Sequence, residues 1–354
     1  MYNNRVQPDY ISFIKNAPTI TIVGVVGDEG KTTTAYVLHE ILAQVYKPPQ
    51  IIEDKIILTQ SPSVFWLNEE SDLVLLLKKL KREDIVIVEL NGELVAKFDE
   101  AGISVAIAVC TNSMPVTHSK ELGHMLDHAL IFKRQSSNNF IIIGEDTFDH
   151  IKKVINFRIK SKVIFKKAED VPREWKIAFP GYHNKENIAL AIGVTELFKI
   201  EPTTIRTVVE KLTSLVGRLQ LVKNVRGVDI YNDASSKTPG ASLAALQTLS
   251  HNRNIVIIIG GRDTGFDSRF LLSHLSQYAH GVVVLAGTGT LPVHRNILSI
   301  STVSHAHAQN LDEAVEKGLD MCRDGDILLF SPAFGAVSEA DRSEEFLKVV
   351  ENIV

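Results

Sequence analysis

Gly27-Asp28-Glu29-Gly30-Lys31-Thr32-Thr33 sets an ammonium and hydroxyls directly after a glycine-spaced turn. The run before it, Thr19 to Val26, is apolar and rich in β-branched residues, and Ala35 to Val45 reads as a helix. Strand, glycine turn and helix in this order are what a polyphosphate needs. Gly27 and Gly30 let the backbone come close, and the helix N-terminus favours negative charge. Lys31 would reach the terminal phosphates and Thr32 would place its hydroxyl on Mg²⁺. The common phosphate loop has a glycine where Val25 stands, so the match is to the shorter Gly-x-x-Gly-Lys-Thr form. Asp28 and Glu29 are two acids in a loop meant for an anion.

Further residues could serve such a site. Glu89 ends the buried run Asp84 to Leu90, and Thr111-Asn112 ends Val105 to Asn112. A carboxylate beside phosphates suits a hard cation, so Glu89 is a candidate Mg²⁺ ligand; as a plain acid it would cap the next element. His124 and His128 stand at helical i, i+4 spacing with His118 nearby, which fits either a zinc pair or ordinary helix-face histidines. Asn184 or Asn187, after Phe179-Pro180-Gly181-Tyr182-His183, would bind a purine edge or cap the helix expected over 188–198. Arg218, after Gly217, would neutralise charge developing on phosphate, with Asp233 orienting it or binding ribose; a surface arginine and a turn aspartate are the plain alternative.

The elements that must hold these groups are legible as continuous apolar runs. Asp84–Leu90, Val105–Asn112 and Phe140–Gly144 alternate with helical stretches, among them Leu73–Leu80, which predicts a parallel sheet covered on both faces. Ligands of such sheets sit beyond the C-terminal strand ends, where Lys31, Glu89 and Asn112 fall. Thr203–Leu215 reads as a helix with Pro202 before it. The pattern then restarts: strands at Gly227–Asp233, Asn254–Gly261, Gly281–Ala286 and Asp326–Phe330, with Thr238-Pro239-Gly240 breaking the chain before a helix from Ser242. Two α/β domains follow, 1–216 and 217–354, joined by a short hinge. A length of 354 residues suits two cores. The formal charge of −4 gives no reason to expect nucleic acid. No run is long and apolar enough to span a membrane. Cys110 and Cys322, the two cysteines, read as reduced core residues, which predicts a cytoplasmic protein.

In order and spacing, these segments together with Gly260-Gly261 and Ser331-Pro332-Ala333 resemble the Mur ligases, ATP-dependent amide ligases of peptidoglycan precursor synthesis. Among them the D-glutamate-adding enzymes are the most similar. The resemblance implies a central phosphate-loop ATPase domain with a mostly parallel sheet and a C-terminal Rossmann-like domain. It implies ATP and Mg²⁺ as cofactors, and a reaction in which a carboxylate is phosphorylated by ATP and an amine displaces phosphate. Its substrates would be a nucleotide-linked muramoyl precursor and an amino acid. Carried over, Gly27 through Thr33 and Asn184, Arg218 and Asp233 contact ATP; Lys31, Glu89 and Arg218 act in catalysis; Thr32, Glu89 and His118 bind metal. Thr264 and Ser331 fall in the amino-acid pocket.

The departures are specific. The uridine-binding domain that precedes the family's phosphate loop has no counterpart before Thr19, so the expectation is either a protein that begins at the central domain or a partner chain that supplies the uridine-binding part. His118 matches the family's metal-binding histidine with one residue inserted, and His128 stands where the family carries a carbamylated lysine. Thr264 replaces a lysine that receives the glutamate carboxylate, with Arg262 close by, and Ala336 replaces a serine. These changes leave open a non-catalytic nucleotide-binding relative working with a partner, or a ligase for another acid and amino acid of the folylpolyglutamate-synthetase kind.

Overall fold

The computed structural model describes residues 20–46, 50–52, 55–57, 64–67, 84–111, 119–263, 265–290, 302–336 and 339–353. They form two compact units, Met1–Ile177 with His183–Leu212, and Ala178–Tyr182 with Thr213–Val354.

The first unit is built on a six-stranded sheet. Its strands are β1 (Thr21–Val26), β4 (Val64–Leu67), β5 (Ile85–Glu89), β6 (Ile107–Cys110), β7 (Phe140–Ile143) and β8 (Lys162–Phe165), in the order β4-β5-β1-β6-β7-β8. Every pairing is parallel. Burial on both faces explains why the central strands read as unbroken apolar runs. Ile22, Val26, Val86, Val88, Ala108 and Cys110 fill one face, and Val23, Val25, Ile87 and Val109 are buried on the other. β2 (Gln50–Ile52) and β3 (Lys55–Ile57) pair antiparallel as a separate two-stranded sheet. Helix α1 (Lys31–Leu42) packs on β1, β4 and β5 through Val37, Leu38, Ile41 and Leu42. α2 (Gly92–Glu100) is started by Asn91, whose side chain accepts from the Leu94 amide at 2.9 Å. α3 (Ser119–Ala129), α4 (Glu145–Val154), α5 (Tyr182–Leu197) and α6 (Pro202–Val209) complete the unit. β1 lies at the turning point, with β4 and β5 to one side of it in the sheet and β6, β7 and β8 to the other, so the crevice for a ligand opens beyond Val26.

The second unit repeats the principle with an antiparallel edge. β9 (Gln220–Val225), β10 (Val228–Asn232), β11 (Ile255–Gly260), β12 (Ala279–Leu285), β13 (Ser304–Ala308) and β14 (Ile327–Phe330) lie in the order β13-β12-β11-β14-β10-β9, with only the β9–β10 pair antiparallel. Alternate residues of β11 divide between two cores: Ile255, Ile257 and Ile259 face one, Val256 and Ile258 the other. Each such side chain contributes about 1.5–3 kcal/mol when fully buried. α7 (Pro239–Leu249) and α8 (Arg269–Tyr278) pack together, as do α9 (Leu311–Met321) and α10 (Glu339–Glu351). Phe346 of α10 stacks on Phe330 with centroids 4.6 Å apart, fixing that helix to the sheet.

Several expected boundaries move. α5 begins at Tyr182 rather than 188, so Asn184 and Asn187 stand inside a helix instead of capping one. α6 ends at Val209, and Pro202 is its first residue, where a missing N–H costs nothing. Pro239 and Gly240 likewise open α7, because the Thr238 hydroxyl accepts from the Ala241 amide at 3.1 Å and nucleates the helix there. The expected helix over 73–80 lies outside the described residues. Cys110 is buried and Cys322 half-buried, and neither is in a disulfide. Among the described residues no helix is long and apolar enough to cross a membrane.

Candidate active site

The loop after β1 is shaped by two glycines in left-handed or mirror conformations, Gly27 at φ 132° and Gly30 at φ 84°. Both are also places of close approach. A Cβ on Gly27 would lie 2.2 Å from Thr111 Oγ1, and one on Gly30 2.3 Å from Asn187 Oδ1. The loop is therefore wedged between the exit of β6 and the face of α5. The Thr111 hydroxyl lies within hydrogen-bond reach of the Val26 carbonyl, at 3.1 Å, and of the Glu29 carbonyl. Gly30 is the N-cap of α1, no side chain caps that end, and no acid stands in its first turn. Such a helix start is suited to an anion.

Lys31 folds over this loop, its ammonium 2.6 Å from the Gly27 carbonyl and 3.4 Å from that of Asp28. Thr32 donates its hydroxyl to Glu89 Oε2 at 2.7 Å, which unites two residues far apart in sequence. The Trp66 indole N–H donates to the other oxygen, Oε1, at 2.9 Å. Of the two acids in the loop, Asp28 has its carboxylate 3.9 Å from His128 Nδ1. His128, buried near the C-terminal end of α3, thus faces an acid of the phosphate loop, while the side chain of His124 lies outside the described residues. Among the described residues no three His, Cys, Asp or Glu side chains gather for a metal. Asn184 is buried one helical turn from Asn187, and it is Asn187 that touches the loop. Beside them, burial lowers the affinity of His183 for its proton. Burial, with Glu169 and Asp146 nearby, raises that of Glu186. His118 lies outside the described residues.

In the second unit the loops beyond β10, β11, β12 and β14 are tied to one another. Gly217 at φ 75° and Leu219 at φ 45° turn the chain around Arg218, and the Ser235 amide donates to the Gly217 carbonyl at 3.0 Å. Asp233 is only 5% exposed. Its Oδ1 accepts from the Leu219 amide at 3.1 Å, and its Oδ2 from Ser236 at 2.5 Å and Ser331 at 2.7 Å. Burial pushes its carboxyl up to about 6, against the opposing pull of those donors and of Arg218. Asp233 is thus the knot that holds the Arg218 turn to the β14 loop, not a carboxylate presented to a ribose. Ser331 needs the same correction: it is fully buried, its hydroxyl spent on Asp233 and 2.8 Å from that of Ser242. Its effect on a substrate would pass through Asp233. Arg262 is exposed, and its backbone pairs with Gly335 at 2.9 and 3.0 Å, joining the loops after β11 and β14. Buried Arg342 of α10 donates to the carbonyls of Phe334, at 2.8 Å, and Ala234. Thr264 lies outside the described residues.

Asn187, which the sequence offers as a purine contact or a helix cap, supports the phosphate loop instead, three residues after Asn184 on the same helix face. Trp66, Thr111 and Arg342 also support these loops, and the sequence pattern assigns them no role. Those three reach their partners across separate elements.

A family model described as Mur ligase, glutamate ligase domain, matches residues 217–334. The chain is 25% identical to the UDP-N-acetylmuramoylalanine–D-glutamate ligase of Bacillus cytotoxicus, over 96% of this chain and 76% of that protein. It is 27% identical to the ligase of the same name from Streptococcus agalactiae, over 94% of this chain and 74% of that one. Its fold is that of the MurF ligase of Thermotoga maritima solved with ADP, with TM-score 0.65 at 18% identity, covering 97% of this chain and 82% of that one. It also matches the Mycobacterium tuberculosis folylpolyglutamate synthase solved with ADP, with TM-score 0.63 at 16% identity, covering 95% and 93%. Residues 217–334 thus match a Mur ligase glutamate ligase domain, and the chain as a whole is similar in sequence and fold to Mur ligases.

Proposed function

We propose that the protein is an ATP-dependent carboxylate–amine ligase that joins D-glutamate to UDP-N-acetylmuramoyl-L-alanine in the cytoplasm. The observation that carries this is the Thr32–Glu89 hydrogen bond beside Lys31 at an uncapped helix start, in a chain whose residues 217–334 match a glutamate ligase domain. The Bacillus and Streptococcus relatives carry that activity in their names, and two structural neighbours were solved with ADP. Domains 1–216 and 217–354 would divide the work, the first holding nucleotide and the second the amino acid and Arg218.

The donor set suits Mg²⁺: a hydroxyl and a carboxylate, both oxygen, leave the remaining positions for phosphate and water. Bound there, Mg²⁺ would neutralise the phosphate charge. Lys31 would hold the terminal phosphates, and amides from Gly27 to Thr33 would orient them. In the first step an acid oxygen bonds to the γ-phosphorus while the bond to the ADP oxygen breaks. In the second the amine nitrogen attacks the acyl carbon and phosphate leaves with the electron pair. Arg218 would stabilise the charge that develops, and Asp233, with Ser331 behind it, would keep the arginine's turn in place. Arg262, two residues before Thr264 in the sequence, would offer a cation to a glutamate carboxylate.

The test is phosphate release from ATP with the purified protein. Release that requires both UDP-N-acetylmuramoyl-L-alanine and D-glutamate supports the proposal. ATP binding without ADP formation for any acid and amine pair overturns it. Lys31→Ala should abolish nucleotide binding, and unchanged affinity would remove the phosphate-loop assignment. UDP binding to the same preparation tests whether this polypeptide or a partner holds the uridine.

A further inference from the structure

Glu89 is gripped from two sides. Thr32 donates to Oε2 at 2.7 Å and Trp66 to Oε1 at 2.9 Å. Trp66 lies on β4 in register with Ile87 of β5, two residues before Glu89, so a long side chain is needed to reach the carboxylate along the same face. The indole is itself held in place. Tyr36 and His39, three residues apart on α1, lie against it with ring centroids 6.0 and 6.1 Å away and planes tilted by 38° and 40°. The strand, the helix that follows the phosphate loop and the carboxylate are thereby locked into one geometry.

An indole N–H donates only and cannot accept. Oε1 is therefore held toward β4, and Oε2, shared with the Thr32 hydroxyl, is the oxygen left to face a cation. Mg²⁺ demands near-octahedral geometry and takes carboxylates through one oxygen, whereas Ca²⁺ accepts both oxygens of one carboxylate in a larger, looser shell. Resting on the Mg²⁺–nucleotide site described above, we propose that Trp66 is a positioning residue that confines Glu89 to one-oxygen ligation and so makes the site prefer Mg²⁺ to Ca²⁺.

The test reads metal binding rather than turnover. Mn²⁺ is bound to the full chain in the presence of a non-hydrolysable ATP analogue and followed by electron paramagnetic resonance, then displaced with Mg²⁺ or Ca²⁺. Two changes are compared with the parent protein. Trp66→Phe removes the donor. Benzothienylalanine at position 66, introduced in a Trp175→Phe background, replaces the indole N–H by sulfur and keeps the ring's outline should the phenylalanine variant fail to fold. The ratio of Mg²⁺ to Ca²⁺ affinity is expected to fall at least roughly fivefold in both, as loss of a hydrogen bond to a charged group implies. An unchanged ratio with Mn²⁺ still bound overturns the role of Trp66. A shift with phenylalanine but not with benzothienylalanine assigns the effect to ring packing and also overturns it. No Mn²⁺ binding in the parent protein with nucleotide removes the divalent-ion site itself, and this inference with it.

Discussion

Gly30→Ala tests the phosphate loop through its tightest contact. Gly30 has φ 84°, where an alanine costs about 1–2 kcal/mol because its Cβ crowds the following carbonyl. The added Cβ would also stand 2.3 Å from Asn187 Oδ1 and 2.9 Å from its Cγ. Asn187 is 5% exposed and packed under the loop, so it has little room to swing aside. Relieving the overlap by an off-rotamer side chain or a shifted helix start costs a further 1–3 kcal/mol or so. Together about 2–5 kcal/mol is at stake, and a shifted helix start misaims the amides that would hold phosphate. We expect nucleotide affinity to fall by roughly thirtyfold or more. Titration calorimetry with a non-hydrolysable ATP analogue on the parent, Gly30→Ala, Asn187→Ala and the double variant separates the two costs. Asn187→Ala removes both overlapping atoms, so Gly30→Ala in that background should retain only the backbone cost, and the coupling between the two sites should be about 1–3 kcal/mol. An equal penalty in both backgrounds, or binding within about twofold of the parent, would refute the wedged geometry.

Asp233 makes stability depend on pH with a definite sign. Its carboxyl is raised from 3.8 to about 6 in the folded protein, so the native state binds the proton more tightly than the unfolded chain. Stability is then greatest for this group below about pH 4 and falls by about 3 kcal/mol as pH rises through 6. Urea unfolding of Asp233→Asn should lose that part of the slope; a profile parallel to the parent's contradicts the buried carboxylate. Ser331→Ala removes a donor from the same carboxylate and should cost about 1–3 kcal/mol, more at pH 8 than at pH 5 because the charged form needs the bond. Equal losses at both pH values would deny the link. Arg218→Ala should lower turnover far more than ATP affinity in steady-state and binding measurements, and equal rates for variant and parent would remove its role in phosphoryl transfer.

What could be read along the chain was whatever repeats locally. β1, β5, β6, β7, β11 and β14 are continuous apolar runs because both their faces are buried, and that leaves a contiguous mark in composition. The phosphate loop is equally local: glycines, lysine and threonine are neighbours because one strand-to-helix turn must present them all. β4, β8, β9 and β13 are shorter or only half-buried, so they carry weak patterns, and were not foreseen.

Order along the chain also placed Glu89 at a strand end and Arg218 and Asp233 at the restart of the pattern. It could not say which of them offer their charge to a ligand. Only packing decided that Asp233 and Ser331 are buried together, that His128 faces Asp28, and that Asn187 rather than Asn184 lies under Gly30. Trp66 and Glu89 meet for the same reason: parallel pairing of β4 with β5 brings their side chains to one edge. A sequence records which groups exist and their local periodicity; the distance between two side chains on different strands is set by register and burial, which arise only when the sheet assembles.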